Sequence, residues 1–390
     1  MTRFEYLYTL EKALASYPED FKKDILETFE LHFKEGLANG LSEEEIIQSL
    51  GTVEEVMSNI RMMNGDFEDK EIWNKEINLN LTDIAHSIKS TMIDVSSFIN
   101  KTIKDFPTDI FQSPEAFTEE NDLSYEDINT LIFEGNCDIS LMPSTKLHYI
   151  FRTYKADDSS TFHIQKDGNT LFIKTAHKGY LQLTIPETIQ NISLTNSSSD
   201  YSIKNCQLEK LNLFTGSGDI EIESSHILHC IANSKSGNIH VKALASTDTR
   251  LQSLSGDVAI YESSGNIHAQ SVSGDVEVHK QNAQEATLIS VSGDVELRAR
   301  VTKAYCKSVS GDIDLSLVGE FEECEAESIS GDIDCYTSIH TLQAELSTIG
   351  GDIFNNSGLA EERIGSKTIR IGQEGPQIKI HSKSGDISLH

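Results

Sequence analysis

No run of 18 apolar residues occurs in the chain, and Glu5 and Glu11 interrupt the first helical stretch where a secretory signal would need an apolar core. The expectation is a soluble, unexported protein, cytoplasmic or at most peripheral at a membrane. Cations are also scarce. Lys and Arg number 32 against 62 Asp and Glu, a net charge of −30, which argues against direct nucleic-acid binding because neutralising phosphates needs clustered cations. The same balance disfavours anionic lipid. No C-x-x-C spacing exists among Cys137, Cys206, Cys230, Cys306, Cys324 and Cys335, so buried free thiols in a reducing compartment are expected in place of a disulfide framework or zinc site. G-x-S-x-G, P-loop and H-E-x-x-H phrases are missing as well, and the 13 histidines are scattered without a recognisable nucleophile. No cofactor and no enzymatic activity are expected.

What is present begins with an acidic helical module over residues 1–70, with 16 acidic and 7 basic side chains. A hydrophobic content of 38% over 390 residues is enough for two or three folded domains. Phe4, Leu7, Leu10 and Leu14 recur at three- and four-residue steps and predict the buried face of a first helix. Ser16 and Glu19, with Pro18 in the first turn, open a second helix carrying Phe21, Ile25, Phe29, Phe33 and Leu37. Asn39-Gly40 ends it, Ser42-x-x-Glu45 caps a short third helix, Leu50-Gly51 stops that one, and Thr52-x-x-Glu55 caps a fourth with Val53, Val56, Ile60 and Met63. The phrase SYPEDFKKDILETFELHFKEGLANGLSEEEIIQSLGTVEEV resembles the HAAS domain, the helical signalling module associated with helix-turn-helix regulators. Pro18, Gly36, Gly40, Ser42, Glu45, Leu50 and Gly51 carry the resemblance, while Val53 stands where the family often has proline. The resemblance implies a protein-interaction domain whose partner is a PadR-like transcription regulator in an envelope-sensing system.

Leu81, Ile84, Ile88, Met92, Val95, Ile99 and Ile103 predict one amphipathic connecting helix within residues 71–106. Relatives of this architecture often carry a transmembrane helix here. This segment instead has charged residues, which leaves three roles open: zipping a homodimer, capping an open sheet end, or lying against a flank. Residues 107–129, with Pro107, Pro114 and the acidic run Glu119 to Asp122, are expected to be a linker.

The phrase S-G-D/N-I/V then recurs through residues 130–390. Its glycines are Gly218, Gly237, Gly256, Gly274, Gly293, Gly311, Gly331 and Gly351, stepping by 19, 19, 18, 19, 18, 20 and 20 residues. Asp219, Asn238, Asp257, Asp275, Asp294, Asp312, Asp332 and Asp352 follow them, and Ser384-Gly385-Asp386-Ile387 is a last copy after an irregular interval. A fixed period near 19 signals a repeat architecture. Alternating apolar pairs such as Ile220/Ile222, Val258/Ile260 and Val295/Leu297 predict half-buried strands. Small residues three positions before each glycine, from Ser234 to Thr348, predict a narrow ladder at a corner. One such coil cannot bury its own apolar face, so parallel stacking about 4.8 Å apart is expected, roughly ten coils giving a rod about 50 Å long. The glycines are expected to take a positive φ, with Asp or Asn bonding the turned backbone, and the extra copy at Gly265 suggests a second corner.

This half resembles the toast-rack or adhesin-like β-repeat family, whose members are generally not enzymes and accompany envelope-stress signalling. The fold expected is therefore multidomain: an all-α four-helix module followed by an all-β single-chain β-solenoid. An aspartate column invites calcium, but calcium coils use a nine-residue repeat that a 19-residue period does not reproduce, so no metal is expected. The function expected is a non-enzymatic signalling scaffold that binds proteins. A surface adhesin-like rod is the first alternative, and a β-helix polysaccharide enzyme, which would need two singled-out carboxylates, the second.

Overall fold

A computed structural model describes residues 2–15, 117–125, 127–153, 163–365 and 367–390, together with isolated helical positions between Lys22 and Val53. The chain divides into two compact units, Met1–Gln112 and Ser113–His390.

In the first unit the helix α1, Arg3–Ala13, starts at Thr2, whose hydroxyl accepts from the Glu5 amide at 3.2 Å while the Glu5 carboxylate accepts from the Thr2 amide at 2.8 Å. This capping box satisfies two donors that a helix start leaves without partners. The buried face is Tyr6, Leu10 and Leu14, with Phe4 turned out at 77% exposure, so the predicted face was rotated towards the wrong aromatic residue. Tyr6 fits because its ring meets Phe33 edge-on at 5.8 Å and Phe29 at 6.2 Å, both of them buried. Val53 is buried too, and the Arg3 amide donates to Glu43 at 2.9 Å. The remainder of the four-helix reading, with Pro18, Gly36, Gly40, Ser42, Glu45, Leu50 and Gly51, and the whole of the connecting helix 71–106 lie outside the described residues.

In the second unit each 19-residue repeat supplies a long strand and a short strand, and each stacks in parallel on its counterpart one repeat away. The long ladder runs through Gln207–Thr215, His226–Ser234, Ala245–Ser253 and Ser264–Ser271. The short ladder runs through Tyr201–Lys204, Ile220–Glu223, Ile239–Lys242 and Val258–Tyr261. Its register puts Ile220, Ile239, Val258, Val276, Val295, Ile313 and Ile333 in one column. All seven are at most 1% exposed, each contributing about 1.5–3 kcal/mol by leaving water. The coil corners after the short strands are single left-handed residues, Asn205, Ser224, Ala243 and Glu262, with φ between 51° and 57°. This is where the second corner falls, three residues before Gly265, whose own φ of 102° accompanies a register shift in the strand. Beyond it, Val276–Ile289 and Val295–Lys307 each run through both faces as one strand with a register shift after His279.

Stacking order departs from chain order at both ends. Thr130–Pro143 lies between Thr170–Ile185 on one side and Asn191–Thr195 with Tyr201–Lys204 on the other. At the far end the last coil of the sequence, Gln377–Ser382 with Ile387–Leu389, is inserted between Glu323–Thr337 and Gln343–Asn355. A sequence period implies sequential stacking, and the outward side chains favour the inserted order instead. Glu323, Glu325 and Glu327 project from one strand and Glu345 from the other, whereas the inserted strand brings Lys379 and His381 into register between them. Like charges directly across a ladder are destabilising, and opposite charges are favourable.

Antiparallel strands finish both ends. Thr368–Ile371 pairs with Gln343–Thr348, and Glu361–Arg363 pairs with Thr368–Ile371. At the other end His148–Thr153 and His163–Asp167 run against Thr170–Ile185, and Phe117–Asp122 runs against His148–Thr153. The stretch read as linker therefore contributes an edge strand, because its acidic side chains meet partners: Asp122 with His148 at 2.9 Å and Lys146 at 3.6 Å, and Glu119 with the Tyr149 hydroxyl at 2.6 Å. Short charged edges resist pairing with other chains.

Candidate functional site

Every repeated polar residue singled out in the sequence lies at the corner between long and short strands, and two hydrogen-bonded columns run through it. In the first, the buried Ser or Thr hydroxyl accepts from the amide of the glycine three residues on and donates to the glycine carbonyl of the preceding coil. Thr215 bonds Gly218, Ser234 bonds Gly237 and Gly218, and Ser253 bonds Gly256 and Gly237, at 2.8–3.1 Å. The pattern continues through Ser271 to Gly274, Ser290 to Gly293, Ser308 to Gly311 and Ser328 to Gly331.

In the second column each aspartate accepts from the amide of the next aspartate in the stack. Asp219 accepts from Asn238 at 2.7 Å, Asn238 from Asp257 at 2.8 Å, Asp257 from Asp275 at 2.9 Å and Asp275 from Asp294 at 2.8 Å. Asp294 then accepts from Asp312 and Asp312 from Asp332, both at 2.8 Å. Asp332 accepts from Asp386 and Asp386 from Asp352, so the column follows the non-sequential coil order. The carboxylates bond across coils and not within their own turn, which differs from the local turn bonding expected.

The glycines serve another purpose than expected. None of the eight repeat glycines has a positive φ. A Cβ on Gly237, Gly256, Gly274, Gly293, Gly311 or Gly331 would collide with the backbone of the preceding coil's glycine, and on Gly351 with that of Gly385. On Gly218 it would meet Ser199. Close backbone approach, not turn conformation, excludes a side chain.

Electrostatics at the corner follow from burial. Desolvation raises the pKa of Asp275 and Asp312, and the neighbouring column carboxylates add to it. On the outer short-strand face Glu277, Glu296, Asp314 and Asp334 share one column, and desolvation followed by Asp334 raises Asp314. Beside them His240, Tyr261 and His279 form a ring ladder with centroids 5.3 and 5.2 Å apart. Tyr261 donates to Glu277 at 2.6 Å, and that bond, with burial, pushes its phenol up to about 12. His279 Nε2 lies 3.2 Å from the Glu296 carboxylate without hydrogen-bond geometry. On the outer long-strand face, signs alternate from coil to coil: Lys307 meets Glu327 at 3.1 Å, Glu323 meets Lys379 at 2.9 Å, and Glu345 meets Arg370 at 2.9 Å. These bands were missed in the sequence, although E-C-E-A-E, Q-I-K-I-H and Q-A-E-L-S side by side carry the signal.

The six cysteines are buried and unbridged, and burial pushes the Cys206, Cys230 and Cys335 thiols up to about 12. Thiols so held are poor nucleophiles and poor metal ligands. Among the described residues no group of three His, Cys, Asp or Glu side chains is arranged to hold a metal ion, and no helix is long and apolar enough to cross a membrane.

A parallel stack of 19-residue coils, stapled by Ser–Gly and Asp–amide columns and closed by antiparallel strands, defines a β-repeat class of fold. The family model described as Toastrack DUF4097 matches residues 155–281 and 229–390, and the chain belongs to that family. The model described as HAAS matches residues 5–58. Among solved structures, the chain is similar to a "putative adhesin" from Bacteroides fragilis NCTC 9343, at 17% identity over 71% of this chain and 97% of that one, with a TM-score of 0.34. It is also similar to a "putative adhesin" from Parabacteroides merdae ATCC 43184, at 12% identity over 71% and 96%, with a TM-score of 0.41. A "putative lipid binding protein" from Parabacteroides distasonis ATCC 8503 aligns at 16% identity over 70% and 96%, with a TM-score of 0.38. Among curated proteins no relative matches the chain.

Proposed function

We propose that the protein is a non-enzymatic adaptor in a bacterial signalling system, with its HAAS module docking a helix-turn-helix regulator of the PadR type and its Toastrack stack presenting an outer face to a second protein. The observation that carries this reading is the joining of those two family matches in one chain. The chemistry of the stack supports it: the repeated serines and aspartates are engaged in holding coils together, which leaves them no role as a convergent acid–base pair. An acidic module complements a basic DNA-binding partner, so the two would attract by potential and the adaptor would compete with DNA. An envelope-stress stimulus, a cytoplasmic or membrane-peripheral location and a homodimer through residues 71–106 belong to the same proposal.

The test is titration of the full chain against the purified PadR-like regulator of the same organism, with and without its operator DNA. Binding should weaken as salt rises, because exposed charges are screened beyond about 8 Å at physiological ionic strength. A chain that binds no regulator at low salt, or that fractionates with the cell surface, would replace the adaptor with a surface-binding rod.

A further inference from the structure

We propose that the C-terminal coil, residues 377–390, is a charge-dependent clasp that docks into a slot between two coils and opens together with residues 343–371, independently of the rest of the stack.

The slot is defined on both sides. Gln377–Ser382 is bonded in parallel to Glu323–Ser328 and to Gln343–Thr348, and Ile387–Leu389 lies between Ile333–Thr337 and Ile353–Asn355. The corner columns pass through it: Ser382 donates to the Gly331 carbonyl at 3.3 Å, and Thr348 donates to the Gly385 carbonyl at 3.0 Å. Asp386 links Asp332 to Asp352 at 2.7 Å on each side. The coil 343–355 has no ladder to Glu323–Thr337; its other partner is the antiparallel strand Thr368–Ile371, itself part of the same segment. Removing the C-terminal coil therefore detaches everything after residue 342 in one step.

What holds the clasp is charge as well as backbone. Lys379 sits in register between Glu325 and Glu345 and bonds Glu323 at 2.9 Å. Burial already raises the pKa of Glu325, with Glu327 next in effect. Without the cationic strand, closure of the gap in the same register would set Glu325 against Glu345, so pairing of the two acidic coils is a poorer substitute for the clasp. The cooperative unit is thus set by connectivity, its cohesion by the ladders and by buried Ile378, Ile380, Ile387 and Leu389, and its dependence on charge by Lys379.

Hydrogen–deuterium exchange on the full chain, compared among wild type, K379E and K379Q, tests this. Amides of 343–389 should exchange as one block, faster than those of 220–317. K379E should accelerate that block roughly tenfold and leave 220–317 unchanged, K379Q should do so less, and 1 M NaCl should move the wild type the same way. The clasp is overturned if the block exchanges in step with the central coils, if K379E also opens the central coils, or if K379E and K379Q act alike.

Discussion

Replacing Gly293 by alanine isolates the reason for the glycine column. The added Cβ would sit 2.5 Å from the Gly274 carbonyl carbon and closer still to its oxygen, whereas ordinary contact begins near 3.4 Å. Those two atoms are backbone and cannot swing away, and Asp275 Oδ1 lies 2.7 Å off as well, so the coil must lift by about 1 Å on a rise of about 4.8 Å. That movement stretches the bond from the Asp294 amide to Asp275, now 2.8 Å, and the bond from Ser290 to the Gly274 carbonyl, now 2.9 Å, past useful length. Two lost bonds at about 1 kcal/mol each, with about 1–3 kcal/mol of overpacking, give a loss of about 3–5 kcal/mol. Thermal melting followed by circular dichroism should then show a transition lower by about 6–20 °C. Gly293→Asn is the discriminating variant. Asparagine tolerates left-handed backbone but carries the same Cβ, so it should be as damaging as alanine or worse. Gly168, with φ of 58° and open space around it, should show the opposite ranking, with asparagine the milder change. Asparagine at 293 melting within about 1 °C of wild type while alanine does not would refute the close-approach account.

Val295→Asp or Ile313→Asp places an unpaired carboxylate at a position with 0% exposure and should cost several kcal/mol, while Glu296→Gln on the outer face should cost little; equal melting losses would mean the inward assignment is wrong. Calcium or a chelator should leave the melting temperature unchanged, because the column aspartates already accept backbone amides, and a calcium-dependent rise would reverse that reading. Acidification from neutral pH acts in two opposed directions. Burial, then Arg250, holds the His268 imidazole down to about 4, so the unfolded chain takes up that proton first and stability falls as pH drops from the ordinary histidine range towards 4. Asp275, Asp312, Asp314 and Glu325 have raised pKa values when folded, so at these groups the folded state binds more protons than the unfolded chain between the ordinary carboxylate range and those raised values, and their contribution is lost as pH rises through that window. Glu221, lowered by its bond to Lys204, opposes this at lower pH, so the single variant Asp312→Asn is the cleaner measurement. It should be neutral or stabilising at pH 7 and flatten the pH response, since Asn238 already accepts the next amide in the same column at 2.8 Å.

The repeat was legible because its determinants are local and recur. A small hydroxyl, a glycine and a short acceptor at fixed spacing, followed by alternating β-branched residues, define a coil whichever coil it is, and the columns from Thr215 to Thr348 show one solution used again and again. The reason for the glycines was not legible, since close approach between backbones and a left-handed turn select the same residue. The first helix was misread in phase for a related reason: Phe4 and Tyr6 are both aromatic, and only contact with Phe29 and Phe33 decides which one is buried. The edge strand at Phe117–Asp122 was hidden because its acidic residues look like linker until His148 and Lys146 lie opposite.

Coil order was the least legible feature, and the columns themselves explain why. A corner that donates and accepts in the same way at every level carries no information about its neighbour, so Gly331 would accept Gly351 as readily as Gly385. Selection must come from groups that differ between coils, and those are the outward side chains. Lys379 faces both Glu325 and Glu345, a more favourable pairing than those two glutamates with each other, while the segment between residues 356 and 376 folds as the antiparallel strands that let the chain turn back to reach the slot. The invariant interior therefore provides cohesion and the variable exterior provides address. A stack built this way tolerates changes on its outer faces away from the ends, where no alternative neighbour competes, but depends on charge where the chain doubles back.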